Sequence, residues 1–202
     1  MRAGRGPELT ELWLADEPER WRALGFSLPD RACDLGGVRL WLGCGGRGIV
    51  AWSVTGIEAE IDGLSIRPGS GGPGSAAHPN GAIGIDHVVV TTPNFDRTAA
   101  ALEAAAMQLR RVTNGPDGAR MGFRRLGPAI LELVERPGPD RGAARFWGLV
   151  VIVEDLEALA GQLGDRLGAI HDAVQPGRRI ATLARSARLG QLVAFMSPEP
   201  GR

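Results

Sequence analysis

The sequence predicts an α+β protein built from βαβββ modules, and two observations support this. Between Ile85 and Pro198 the chain alternates β-branched runs with Ala- and Leu-rich segments. The second half of this region also repeats the first: "HVVVTTPNF" aligns with "GLVVIVEDL", and "LGPAILELVE" aligns with "LGQLVAFMSP". A repeat of this kind indicates a duplicated structural unit.

The first unit begins with a β-branched strand at Ile85–Thr91, and a helix follows from Phe95 to Leu109. Within that helix the larger side chains recur every three or four residues, which is helical spacing. Three further strands are predicted at 110–113, 120–126 and 129–135. The unit therefore reads strand, helix, strand, strand, strand.

The second unit has the same order. Trp147–Val153 is strand-like, and "DLEALAGQLGDRL" places its leucines along one helical stripe. The segments "AIHDAV", "RRIATLA" and "QLVAFMS" then supply three strands.

A weaker third copy precedes these two units. "TELWLADEPERWRALGF" reads as strand and helix, and "ACDL", "GVRLWLG" and "GIVAWSVTGI" read as strands. A segment rich in Gly, Pro and Ser separates this copy from the rest and predicts a flexible linker. We therefore divide the chain into an N-terminal module at 8–66, a linker at 67–82 and a paired-module domain at 83–198.

Composition limits the functional classes. The chain has 202 residues, 44% of them hydrophobic, which is enough for a substantial core. Acidic and basic residues balance at 23 each, so no overall field favours nucleic acid or an anionic membrane. The longest apolar run, "FWGLVVIV", is too short to cross a bilayer as a helix, and the N-terminus lacks an apolar signal core. We expect a cytoplasmic protein with reduced Cys33 and Cys44 that binds neither nucleic acid nor membrane.

The paired modules resemble the vicinal oxygen chelate superfamily, which includes glyoxalases, bleomycin-resistance proteins and extradiol dioxygenases. The resemblance is based on the strand-opening histidine of "DHVVVTTPNFDR", the helix after it and the strand "GPAILELVE". It implies that each module curls into a half-barrel and that two modules face each other around a cavity. It also implies metal ligands on the first and last strands of each module.

His87 and Glu132 fall on those two positions in the first of the paired modules. They are the residues expected to bind one divalent ion, such as Mn, Ni, Zn or Fe, if a metal is present. The other half of the set is missing, because Gly148 and either Ala194 or Phe195 stand at the matching positions. An extradiol dioxygenase site, with two histidines and one carboxylate, cannot be assembled from this set.

Each of these residues also has a structural interpretation. His87 could be a strand-edge histidine bonded to the backbone or to Asp86. Glu132 could lie in a desolvated cavity, where it would suit a general base, or on the solvated outside of the sheet. Glu11 occupies the matching first-strand position of the N-terminal module, and could either contribute to the site or simply be solvated.

Ligand contacts are expected from Phe123, Trp147, Arg125 and Arg178. The aromatic residues could line an apolar pocket, and one Arg of each strand pair could reach the cavity to anchor a carboxylate or phosphate. Core packing and surface charge are the alternatives.

Two functions of different class follow. The first is a glyoxalase-like protein that binds a small molecule between the two modules and has an incomplete metal site. The alternative is a divalent-metal-dependent lyase or isomerase of a small hydroxycarbonyl metabolite, with Glu132 as the catalytic residue. The N-terminal module needs a covering surface, from its own chain or from a second copy, and the second case predicts a homodimer.

Overall fold

A computed structural model describes residues 6–70, 74, 76–115, 117–136 and 142–201. Within them lie the twelve strands β1 to β12 and the three α-helices α1 to α3. The N-terminal module contains β1 (Leu9–Leu14), α1 (Pro18–Arg22), β2 (Ala32–Leu35), β3 (Val38–Trp41) and β4 (Ile49–Val54). The first paired module contains β5 (Ala82–Thr92), α2 (Phe95–Ala104), β6 (Arg111–Asn114), β7 (Arg120–Leu126) and β8 (Ala129–Glu135). The second contains β9 (Arg145–Val153), α3 (Leu156–Leu163), β10 (His171–Asp172), β11 (Arg179–Thr182) and β12 (Leu192–Met196).

The paired modules form one eight-stranded sheet of order β10-β11-β12-β9-β5-β8-β7-β6. In each module the first strand pairs in parallel with the last, and the two first strands, β5 and β9, pair antiparallel at the centre. The registers repeat: His87 is opposite Ile130 in β8, and Gly148 is opposite Leu192 in β12. The predicted duplication is therefore present in the strand pairing as well as in the sequence.

Both helices of the paired modules are shorter than predicted. Asn94 caps α2 by accepting a hydrogen bond from the Arg97 backbone N–H, and the helix ends at Ala104 instead of Leu109. Ala106, just beyond the end, has a left-handed φ of 58°, which stops the helix and leaves Met107 buried. Asp155 caps α3 in the same way, and Gly164 ends it with a φ of 57°.

The N-terminal module has the predicted βαβββ element order but different pairing. Its sheet runs β2-β3-β1-β4, so β1 pairs in parallel with β3 and antiparallel with β4. The glycine-rich loop after β3 explains the difference, because it crosses the end of β1. There Gly43 and Cys44 donate backbone hydrogen bonds to Asp16 and Leu14, and Ala15 donates one to Gly48.

The N-terminal module packs against the paired modules of its own chain through a continuous hydrophobic core. Phe26 stacks on Phe195 with ring centroids 6.3 Å apart, and Trp52 meets Phe146 edge to face. The Asp62 carboxylate accepts two hydrogen bonds from the Arg97 guanidinium, at 2.9 and 3.1 Å. These contacts cover the face of the large sheet opposite to the one that carries Glu132.

The segment expected to be a flexible linker is anchored in the part that the structure describes. Ser70 donates backbone and hydroxyl hydrogen bonds to Glu11, and Gly74 donates a backbone hydrogen bond to Asp34. Buried His78 accepts a hydrogen bond from the Ser27 backbone N–H at Nδ1, and its Nε2 lies 2.9 Å from the Asp34 carbonyl oxygen.

Over the described residues, no helix has both the length and the apolar character that a bilayer crossing requires.

Candidate functional site

Alternation along β8 decides where Glu132 points. Leu131 and Leu133 are fully buried in the hydrophobic core, so Glu132 projects from the opposite face together with Ile130 and Val134. This opposite face lines a cavity of about 470 Å³. Besides Glu132, its wall consists mainly of apolar side chains from both paired modules. The other polar residues of the wall are Thr91, Asp117, Arg136 and Thr182. The cavity size falls within the range of small-molecule sites.

Glu132 is a partly buried carboxylate that accepts no hydrogen bond from the described residues. Burial raises its pKa above the ordinary value, because the apolar wall disfavours the charged form. Charges from His87 and Arg136 oppose this shift and the charge of Asp86 reinforces it, but burial dominates. A carboxyl group whose pKa is raised in this way is a better proton acceptor than an ordinary Glu, and it can return the proton later.

His87 lies on the same face, after an irregularity in the pairing of β5 with β9 between Ile85 and His87. Its Nδ1 is 2.5 Å from the Asp86 Oδ2, and the two side chains are buried. The ring also meets Phe123 edge to face, with centroids 6.3 Å apart. Asp86 thus fixes the orientation of the imidazole, and Nε2 makes no hydrogen bond with the described residues.

Asp86 is paired a second time, with Arg178. The Arg178 Nη1 donates to Asp86 Oδ1 at 2.6 Å, and its Nε donates to the Ser197 carbonyl at 2.9 Å. Burial alone would raise the pKa of Asp86, but hydrogen bonds and charge from His87 and Arg178 bring it below its ordinary value. The carboxylate therefore stays ionised and joins the two paired modules.

The second paired module has no counterpart of the His87 and Glu132 pair. Ala194 is opposite Val150 in the same register in which Glu132 is opposite Val89, so Ala194 and not Phe195 occupies the carboxylate position. At the histidine position, a Cβ atom on Gly148 would lie 2.7 Å from the Leu192 carbonyl oxygen. The neighbouring strand thus fills the space that a side chain would need.

The donor set does not fit a resident metal ion with three or four protein ligands. Among the described residues, no group of three or more His, Cys, Asp or Glu side chains is placed to bind one. Glu11, the candidate third ligand, is fully buried within the N-terminal module. Its carboxylate accepts hydrogen bonds from the Trp41 indole at 2.7 Å and from Ser70, so it fixes the segment after β4.

The four predicted ligand residues have different environments. Trp147 lines the cavity beside Glu132, and Phe123 is opposite Glu132 on β7. Arg125 is exposed on the same face of β7, beyond the cavity wall. The Arg178 guanidinium is bound to Asp86 and Ser197, with Nη2 buried and unpaired among the described residues.

Sequence reasoning missed Arg136 and underrated Asp86. Arg136 lines the cavity, lies 6.0 Å above the Trp147 ring and forms an ion pair with Asp117. It follows β8 and Trp147 lies in β9, so no local pattern links them. Asp86 directly precedes His87 in the sequence, and this adjacency could have identified the contact. A hydrogen bond to Asp86 is one of the two structural interpretations of His87 given above.

The chain is similar to several solved structures. A methylmalonyl-CoA epimerase from Mycobacterium tuberculosis is 20% identical, with a TM-score of 0.49, covering 59% of this chain and 91% of that one. A Streptomyces coelicolor methylmalonyl-CoA epimerase in complex with 2-nitronate-propionyl-CoA is 18% identical, with a TM-score of 0.47, covering 57% and 94%. A hypothetical protein from Bacillus halodurans is 16% identical, with a TM-score of 0.47, covering 58% and 96%.

No family model matches the chain, and no curated protein sequence matches it. The strand order confirms the fold prediction: two βαβββ modules share one sheet, with their first strands paired at its centre. This is the paired-module architecture that the resemblance to the vicinal oxygen chelate superfamily predicts.

Proposed function

We propose that the chain is an isomerase or lyase that moves a proton next to a carbonyl group in a small oxygenated metabolite. The observation that supports this is the Glu132 carboxyl group: it faces the cavity, has a pKa raised by burial and accepts no hydrogen bond from the described residues. Such a group is available to the substrate, and its raised pKa suits proton transfer.

In this proposal Glu132 removes the proton of a carbon–hydrogen bond adjacent to the carbonyl. The bonding pair moves into the carbon–carbon bond and the carbonyl pair moves onto oxygen, which gives an enolate. For an isomerisation, the hydroxyl proton of the substrate passes to the enolate oxygen, and Glu132 returns its proton to the former carbonyl carbon. For a lyase reaction, the enolate re-forms the carbonyl and its carbon–carbon pair expels a leaving group from the next carbon, which takes the proton from Glu132. Trp147 and the apolar wall reduce the solvation of the carboxyl group.

The test is deuterium incorporation from D2O into small hydroxycarbonyl compounds, followed by proton NMR, with hydroxyacetone and dihydroxyacetone phosphate as the first probes. The wild type should accelerate exchange, and Glu132→Gln should slow it by about 100-fold or more, the usual contribution of general acid–base catalysis. Exposed Glu103→Gln is the matched control and should exchange like the wild type.

A second candidate is binding without chemistry, which Gly148 and Ala194 favour because half of the expected chelating set is absent. Probes that raise the melting temperature of wild type and Glu132→Gln equally, with no exchange in either, would replace the enzymatic proposal by this one. If no compound shows deuterium exchange and none raises the melting temperature, both the enzymatic proposal and the binding proposal are overturned.

A divalent ion is the cofactor that the resemblance implies, and His87 and Glu132 are the residues that would bind it. With two protein ligands we expect metal content far below one ion per chain in protein purified without chelators. One ion per chain in the wild type, lost in both His87→Ala and Glu132→Ala while they stay folded, would make the reaction metal-dependent.

A further inference from the structure

A second cavity, of about 940 Å³, lies where the N-terminal module meets the second paired module. We call it the junction groove. Its wall comes from the loop before β4, the start of β9 and the segment between β11 and β12. Because the groove needs both parts of the chain, it exists only when the N-terminal module is docked.

Close backbone contact builds this junction. A Cβ atom on Gly190 would lie 2.6 Å from the Gly48 backbone nitrogen, so the two loops touch at a pair of glycines. Buried Asp16 of the N-terminal module accepts hydrogen bonds from the Gly190 backbone at 2.7 Å and from the Gln191 side chain at 2.6 Å. These contacts fix one wall of the junction groove.

Three arginines line the junction groove: Arg47, Arg145 and Arg185. They come from three separate segments, and all are exposed. None makes an ion pair or side-chain hydrogen bond among the described residues, whereas Arg97, Arg120 and Arg178 elsewhere are held by carboxylates. The described lining contains no Asp or Glu.

Unpaired guanidinium groups around one concavity favour an anion with several oxygen atoms. A guanidinium presents a planar fork of donors that matches phosphate or carboxylate geometry. Three guanidinium groups offer more donors than the two oxygen atoms of one carboxylate can accept in this geometry. The net formal charge of +0 gives no general attraction for polyanions, so a local site is needed. The cavity volume is that of a small-molecule site.

The junction groove also adjoins the Glu132 cavity, because Trp147 and Leu192 line both. We propose that the junction groove binds the phosphate group of a small phosphorylated ligand, whose oxygenated end enters the Glu132 cavity. The first half of this proposal stands alone, and the second half rests on the proposed function.

The test is isothermal titration with pyrophosphate at low ionic strength, which requires no chemistry at Glu132. The wild type should bind it. Arg47→Gln, Arg145→Gln and Arg185→Gln should each weaken binding by about tenfold, because each removes charge-assisted hydrogen bonds to the anion. The triple variant should show no binding. Arg110→Gln is the control. Arg110 is exposed beside the edge strand β6 and has no ion pair among the described residues, so the pyrophosphate affinity of this variant should stay within about twofold of the wild type.

Absence of pyrophosphate binding by the folded wild type, or equal losses in Arg110→Gln and the groove variants, would overturn the phosphate site. Co-sedimentation with phosphatidic acid vesicles separates a lipid headgroup from a free ligand. Stronger binding to vesicles than to pyrophosphate, lost in the triple variant, would reject the small-molecule ligand.

A second arm tests the link to the cavity. Dihydroxyacetone phosphate should raise the wild-type melting temperature more than hydroxyacetone does, and the triple variant should lose this difference. Pyrophosphate binding without any such difference would retain the phosphate site and reject its link to the Glu132 cavity. Absence of deuterium exchange with intact phosphate binding would reject the proposed reaction alone.

Discussion

At the residue scale, the site depends on how differently its two central side chains are supported. His87 is held by Asp86, which is itself held by Arg178, so its ring has one orientation. Glu132 lies in an apolar wall without a hydrogen-bond donor from the described residues. His87 is oriented by a neighbouring carboxylate, and the pKa of Glu132 is raised by desolvation.

Replacing Glu132 by Gln should stabilise the folded protein at neutral pH. Because burial raises the folded-state pKa of Glu132, the folded protein holds that proton to higher pH than the unfolded chain does. The destabilising effect of the charged form is therefore absent below the ordinary Glu pKa and grows as pH rises through the raised value. Urea denaturation should show Glu132→Gln above wild type at pH 7, with the difference closing by about pH 4. Equal stabilities at both pH values would contradict a desolvated carboxylate.

The two cysteines should differ in reactivity. Burial raises the pKa of the Cys33 thiol to about 12, so almost none of it is thiolate at pH 8, while Cys44 is only partly buried. Titration of the native protein with a disulfide reagent should label Cys44 and reach Cys33 only after unfolding. Cys44→Ser provides the control, since it should leave a native protein that hardly reacts. Equal rates for both thiols would show that Cys33 is accessible.

At the element scale, the paired modules could be predicted because their periodicity, turn residues and duplication agree. The sequence could not show that Ala106 adopts a left-handed backbone and ends α2 early, since Ala ordinarily continues a helix. The sequence also could not show that β1 lies between β3 and β4 in the small sheet. This order depends on hydrogen bonds from the loop at 43–48 and not on the alternation of side chains along the strands. Glu132 was identified from alternation, whereas the junction groove requires residues that only tertiary docking brings together.

Gly148 should resist even the smallest side chain. The Leu192 carbonyl oxygen would lie 2.7 Å from an added Cβ atom, and both residues are inside paired strands that cannot separate without losing hydrogen bonds. Gly148→Ala should cost about 1–3 kcal/mol in the free energy of unfolding, as other overpacking substitutions do.

Gly161→Ala is the matched control for that change. Gly161 is an exposed position within α3. Apart from its chain neighbours and the backbone of its own helix, no heavy atom of the described residues lies within 4 Å of the added Cβ. Helix propensity predicts a gain of up to about 1 kcal/mol there. If Gly148→Ala destabilised the protein no more than Gly161→Ala in urea denaturation, the proposed steric conflict between β9 and β12 at Gly148 would be contradicted.

At the scale of the whole molecule, the N-terminal module is docked in cis through one continuous core and several buried polar contacts. The sequence left cis and trans docking open. The structure provides a covering surface within the chain, and the homodimer stays a prediction. The division into an N-terminal module, an anchored connecting segment and a paired domain is likewise a proposal about independent units.

Asp16 links these units, so Asp16→Asn should weaken their docking. The carboxylate accepts hydrogen bonds from the Trp21 indole, the Gly190 backbone and the Gln191 amide, and an amide side chain cannot accept all three in the same geometry. We expect a loss of about 1–3 kcal/mol in a single calorimetric transition. Exposed Asp165→Asn should change stability by less than about 0.5 kcal/mol. Two separate transitions in the wild type would show that the units unfold independently.

The central claim is that Glu132 is a desolvated carboxyl group facing a cavity. Its most direct test is a carbon-13 NMR titration of the Glu132 side-chain carboxyl signal, assigned by its absence in Glu132→Gln. The account predicts a midpoint above the ordinary Glu value of about 4.3, because burial raises the pKa. A midpoint at or below that value would mean that Glu132 is solvated or paired, and the proposed proton transfer would lose its base.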